Sequence, residues 1–95
     1  MRFEWDESKN ELNKRKHRVS FEEAREIFYD PFHIAILDER FHYLEERWIT
    51  IGRTSGSHLV VAAHLYFDEQ GQETIRIISA RRATAHEREQ YEGES

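Results

Sequence analysis

The apolar residues change rhythm along the chain. Phe3-Glu4-Trp5 alternates and predicts a short strand, after which Asp6 can cap a helix running to about Lys16. That helix is polar on every side, with Leu12 its only large apolar residue, so it must lie on the surface or meet a partner. A second helix is better marked. Ser20 and Glu23 have capping-box spacing, Phe21, Ala24, Ile27 and Phe28 form an apolar stripe, and Asp30-Pro31 ends the helix. From there the pattern is that of strands: His33 to Leu37, Glu46 to Gly52, His58 to Phe67 and Glu73 to Ala80. The acidic stretch from Asp38 to Glu46 reads as a loop, and Thr54-Ser55-Gly56 and Asp68 to Gln72 as turns, so the last three strands form a meander. Thr84 and Glu87 repeat the capping-box spacing and open a terminal helix that Gly93 can close. The order β-α-α-β-β-β-β-α is an α+β fold: one antiparallel sheet with helices on one face, in a single domain spanning 1–95.

Register follows from the need to bury one face. Pairing Gly52 with His58 sets Ile51 opposite Leu59 and Ile49 opposite Val61. Pairing Phe67 with Glu73 sets Leu65 opposite Ile75 and Ala63 opposite Ile77. The same registers place Glu46 opposite His64 and His64 opposite Arg76 on the other face, with Trp48, Thr50 and Tyr66 beside them. An acid, an imidazole and a guanidinium then lie in a row across three strands.

Charge changes the picture only locally. The net charge of -5 argues mildly against nucleic acid, since phosphate contacts need Lys and Arg. Bases nevertheless concentrate at Lys14-Arg15-Lys16-His17-Arg18 and at Arg76, Arg81 and Arg82, and a local patch is what binds a ligand. There is no cysteine, which removes disulfides, thiolate zinc sites and cysteine nucleophiles together. No apolar run approaches the ~20 residues of a membrane helix, so a soluble cytoplasmic protein is expected, with no membrane partner.

RNA is cut without a metal when a base removes the 2′-hydroxyl proton, an acid protonates the leaving oxygen and cations stabilise the phosphorane. Glu46 or His64 can serve as base, His64 as acid, and Arg76 with Arg81 or Arg82 can hold phosphate. Trp48 and Tyr66 can stack on splayed bases. A solvated face on which Glu46, His64 and Arg76 merely neutralise one another fits the same pattern. Basic residues from Lys14 to Arg18 are also what a helix C-terminus attracts. No His, Asp and Glu spacing closes a metal site, the four glycines form no phosphate loop, and Ser79 has no nucleophile elbow, so no metal or cofactor is expected.

Phe3-Glu4-Trp5-Asp6, Lys9, Asn13, Lys16-His17, Val19-Ser20-Phe21, Glu45-Glu46-Arg47, Gly52, the run from Ile75 to Ala83, Glu87 and Tyr91 resemble the BrnT family, the toxins of type II toxin–antitoxin pairs. The resemblance covers nearly the whole chain. It implies a compact RelE-like fold and a ribonuclease that blocks translation. It also implies a BrnA-type antitoxin in a heterotetramer, with DNA bound only through that antitoxin. It carries over Lys9, His17, Glu46, Arg47, Arg76, Arg81 and Arg82 as site residues, and Lys16 stands beside them as an RNA contact. His64 rests on the strand register alone. The catalytic set so read is Glu46, His64, Arg76 and Arg81. One departure is plain: Arg18 stands where the family has a glycine, at a position suited to a left-handed cap. Two other readings stay open, a non-catalytic module that only docks a partner and a degenerate toxin that has lost activity.

Overall fold

The computed structural model describes residues 1–40 and 46–94. Its elements are β1 (Arg2–Glu4), α1 (Glu7–His17), α2 (Phe21–Ala24), a 3-10 turn (Arg25–Tyr29), β2 (Ile34–Leu37), β3 (Arg47–Arg53), β4 (Leu59–Glu69), β5 (Gln72–Arg82) and α3 (Ala85–Glu94). The order expected from the sequence is present, although the second helix passes into 3-10 geometry after one turn. Residues 41–45 of the acidic loop lie outside the described residues. No helix among the described residues is long and apolar enough to cross a membrane.

Local chemistry explains the helix starts. Asp6 accepts hydrogen bonds from the Ser8 and Lys9 amides, and Ser20 Oγ accepts from the Glu23 amide. Only half of that second capping box forms, because the Glu23 carboxylate pairs with His58 Nδ1 at 3.0 Å instead. The box at Thr84 and Glu87 is complete: each side chain accepts from the other residue's amide. Gly93 lies within α3 and does not end it. Arg18 takes the glycine-like left-handed conformation, φ 61°, and its amide donates to the Lys14 carbonyl.

The sheet has the order β1-β5-β4-β3-β2. Strands β2 to β5 form an antiparallel meander, but β1 lies parallel to β5, pairing Phe3 with Ile75. The sheet is therefore mixed, and the all-antiparallel expectation is corrected. The meander starts at the far edge and works back, so its last strand arrives beside the first.

Helices also cover both faces, where one was expected. On one side α1, α2 and the 3-10 turn bury Val60, Ala62, Ile75, Ile77 and Ala80 under Val19, Phe21, Ala24 and Ile27. On the other, Tyr91 of α3 covers Ile51, Leu59 and Val61. Each well-buried aliphatic or aromatic side chain contributes roughly 1.5–3 kcal/mol. Gly52 lets the 3-10 turn lie directly on β3, since a Cβ there would sit 2.7 Å from Ile27 Cβ.

The polar helix α1 is fastened by amides in place of an apolar stripe. Asn13 is buried against β5, donating to the carbonyls of Val19 and Ala80 and accepting from the Ala80 amide. It thus serves the edge of β5 that the three-residue β1 leaves open. Asn10, one turn earlier, accepts from the Phe21 amide and donates to Glu7 and Glu22.

Candidate functional site

Both expected registers are displaced. In the first hairpin Gly52 faces Val60, so Trp48, not Glu46, lies opposite His64. Thr54 sets this shift: its hydroxyl and amide hold the turn through His58. In the second hairpin the turn shrinks to Gln70-Gly71, both at positive φ, and Glu69 pairs with Gln72. Further along, Ala63 faces Ser79 while His64 faces Ile77, leaving Ile78 as a β-bulge. The tightened turn sets Arg76 opposite Leu65, on the face away from His64, and the bulge brings Ser79 and Arg81 onto that same face. The row Glu46–His64–Arg76 does not exist.

His64 instead lies under the helices. It is buried, with Phe28 edge-on at 4.9 Å between ring centroids. Its Nδ1 approaches the Leu65 carbonyl at 3.3 Å and its Nε2 meets Thr50 Oγ1 at 2.8 Å. That pattern fits the tautomer in which Nδ1–H donates and Nε2 accepts the Thr50 hydroxyl. Burial pushes its pKa down to about 4. A neutral ring with its lone pair engaged is a core histidine. Trp48, Tyr66 and Arg82 lie on this same helical side, while Glu46 is exposed just ahead of β3.

The opposite face, partly covered by α3, gathers the cations. Arg47, Leu65 and Arg76 are adjacent across three strands, and two positions along the sheet Ile51, Val61 and Arg81 repeat that row. Between them a shallow depression of about 260 Å3 is lined by His17, Arg40, Ile49, Ala63, Ser79 and Arg81. His17 reaches it because it follows Asn13 by one helical turn, and Asn13 is bonded to Ala80 beside Arg81.

Carboxylates hold these cations in place. Arg81 meets Glu87 in a two-pronged pair at 2.7 and 2.8 Å, and Thr84 N–H also donates to Glu87. That pairing holds the Glu87 carboxyl down at about 2, chiefly through the Arg81 hydrogen bond. Arg76 pairs with Glu4 at 2.8 Å. Arg40 forks onto buried Asp38, whose pKa is lowered first by Arg40 and further by the charge of Arg47. Arg40 in turn acts electrostatically on Arg81, so the three arginines belong to one field. Among the described residues no three His, Asp or Glu side chains are placed to share a metal ion.

The structure therefore brings Arg47, Arg76, Arg81 and His17 onto one face and leaves Glu46, His64, Trp48, Tyr66 and Arg82 off it. Lys9 and Lys16 are exposed on α1, at its first turn and last turn respectively. Sequence reasoning gave no site role to Arg40, Ser79 or Asn13 and read Glu87 only as a helix cap. Two asparagines three apart in a helix without an apolar stripe were a readable sign of a polar docking face; the bulge that turns Ser79 outward left no such sign.

Comparison with known proteins adds two findings. Residues 5–87 match the family described as "Ribonuclease toxin, BrnT, of type II toxin-antitoxin system". Among solved structures, the 1.1 Å crystal structure of the Brucella abortus ribonuclease toxin BrnT is similar with a TM-score of 0.62. It is 22% identical, and the match covers 88% of this chain and 97% of that one. At that identity the likeness speaks for the fold. No curated protein matches the chain.

Proposed function

The chain belongs to the BrnT family of ribonuclease toxins of type II toxin–antitoxin systems, and on that premise we propose that it cuts RNA on the cationic face of its sheet without a metal ion. The observation that carries this reading is that one sheet face gathers Arg47, Arg76, Arg81 and His17, the last two lining a shallow depression and the first two in one row across the strands next to it. In this scheme the arginines grip the phosphates flanking the scissile bond, exchanging their carboxylate partners for phosphate oxygens. His17, half-buried at the rim, takes the 2′-hydroxyl proton. The 2′-oxygen then bonds to phosphorus, the bond to the 5′-oxygen breaks, and that oxygen takes a proton from solvent. The products are a 2′,3′-cyclic phosphate and a free 5′-hydroxyl.

We read residues 1–95 as one RelE-like toxin domain that inhibits translation in the cytoplasm. Its neutraliser is a BrnA-type antitoxin, assembled with it as a heterotetramer and supplying any contact with DNA. The test is cleavage of a defined single-stranded RNA by the purified chain, with and without a chelator. Cleavage that persists in chelator and leaves cyclic-phosphate ends supports the scheme. Loss of cleavage in chelator, restored by a divalent cation, would remove the metal-free route.

A second reading draws on the ion pairs. Glu87 and Glu4 already occupy Arg81 and Arg76, as they would on a face built only to dock a protein. Intact RNA after long incubation with folded, soluble protein would favour that reading.

A further inference from the structure

On the helical side, where the 3-10 turn ends at Tyr29, the sheet is left partly uncovered. A pocket of about 270 Å3 opens there, lined by Phe28, Ala35, Trp48, His64, Tyr66 and Glu73 among others. The catalytic scheme uses none of these residues, and they lie across the sheet from the arginines. Three further features surround the pocket. The Trp48 indole N–H is buried and has no hydrogen-bond partner among the described residues. Strand β2, which contributes Ala35, is the edge of the sheet, with its outer side unpaired among the described residues. Strand β2 also exposes large apolar side chains: Leu37, on the same side as Ala35, is 39% exposed, and Ile36, on the opposite face, 48%.

We propose that this corner docks an extended segment of the antitoxin, which adds to β2 as a sixth strand and inserts an aromatic or branched aliphatic side chain into the pocket. The inference rests on the family's pairing of toxin with antitoxin. An edge strand supplies main-chain bonds and a pocket beside it selects alternate side chains. A carbonyl of the incoming segment would accept the Trp48 N–H. Charge favours a protein segment over RNA, because no Lys or Arg lines the pocket, and its one carboxylate, Glu73, stands there with the imidazoles of His33 and His64, in a chain of net charge -5. A basic residue on the antitoxin segment, set against Glu73, completes the match.

The test is calorimetric titration of the purified chain with its purified antitoxin, using Ala35→Arg, Trp48→Phe and Arg76→Ala. Ala35 is exposed on a short edge strand, so the arginine can be carried without refolding the sheet, and Trp48→Phe removes only the donor and part of the ring. The expected result is binding weakened about 10-fold or more by Ala35→Arg and several-fold by Trp48→Phe. Arg76→Ala should stay within about twofold of wild type, as a distant surface change does. Amides of residues 34–37 should gain exchange protection in the complex. Wild-type affinity in Ala35→Arg, or loss confined to Arg76→Ala, would overturn the docking site while leaving the ribonuclease reading intact. No binding by the wild-type chain would overturn the proposal together with the pairing on which it rests.

Discussion

Acidification should destabilise this protein through His64 before the carboxylates titrate. The ring is buried against Phe28, and burial lowers its pKa from 6.5 to about 4. A base whose pKa is depressed on folding stabilises the fold fully above its unfolded pKa, and that contribution is lost as pH falls toward the folded value. The window is therefore pH 6.5 down to about 4. Over the whole window the loss amounts to about 3.4 kcal/mol, and at pH 5 to about 2 kcal/mol, before allowing for relaxation around the charged ring. Urea unfolding followed by tryptophan fluorescence at pH 7.5, 6, 5 and 4.5 measures it, with His64→Gln as the comparison. Glutamine keeps a hydrogen-bonding group near Thr50 and cannot titrate. The wild type should lose about 2 kcal/mol more than His64→Gln between pH 7.5 and 5. Parallel pH profiles for the two proteins, or a ring titrating near 6.5 by NMR, would refute the buried neutral histidine.

Two further outcomes bear on the fold. Gly52→Ala should cost about 2–4 kcal/mol in urea unfolding, because its Cβ would lie 2.7 Å from Ile27 Cβ and 2.8 Å from the Ile27 carbonyl oxygen; an unchanged midpoint would mean that the 3-10 turn shifts freely. Arg18→Gly should stabilise the chain by about 0.5–1 kcal/mol, since arginine holds a left-handed conformation there and glycine does so without strain. A melting temperature that falls in the glycine variant would show that the Arg18 side chain contributes more than its backbone strain costs.

Much of the fold was legible because it is written in local chemistry. Asp6, Ser20 and Thr84 announce three helix starts, and alternating runs between turn residues announce four strands. What stayed hidden depends on non-local pairing. The first hairpin slips by two residues because the Thr54 side chain organises its turn, and the second tightens onto Gln70-Gly71. Neither shift changes the strand count, so periodicity cannot sense them. The one-residue shift at the second turn puts Arg76 on the face away from His64, and the bulge at Ile78 then brings Arg81 round to the same face as Arg76. Assuming one buried face also misled: Leu65 and Phe67 are only half-buried, whereas Ile75 and Ile77 are core on the other side. The cationic residues themselves were visible through the family resemblance. Their meeting place was not, because it is made by Asn13 reaching 67 residues along the chain to Ala80.

The most direct measurement is the rate of RNA cleavage at pH 7.5 by wild type, Arg76→Ala, His17→Ala and His64→Gln, each shown to be folded. With chemistry on the cationic face, Arg76→Ala and His17→Ala should each lose about 10²-fold or more, and His64→Gln should stay within about threefold of wild type. Activity lost in His64→Gln and retained in the other two would place the chemistry under the helices and contradict the account.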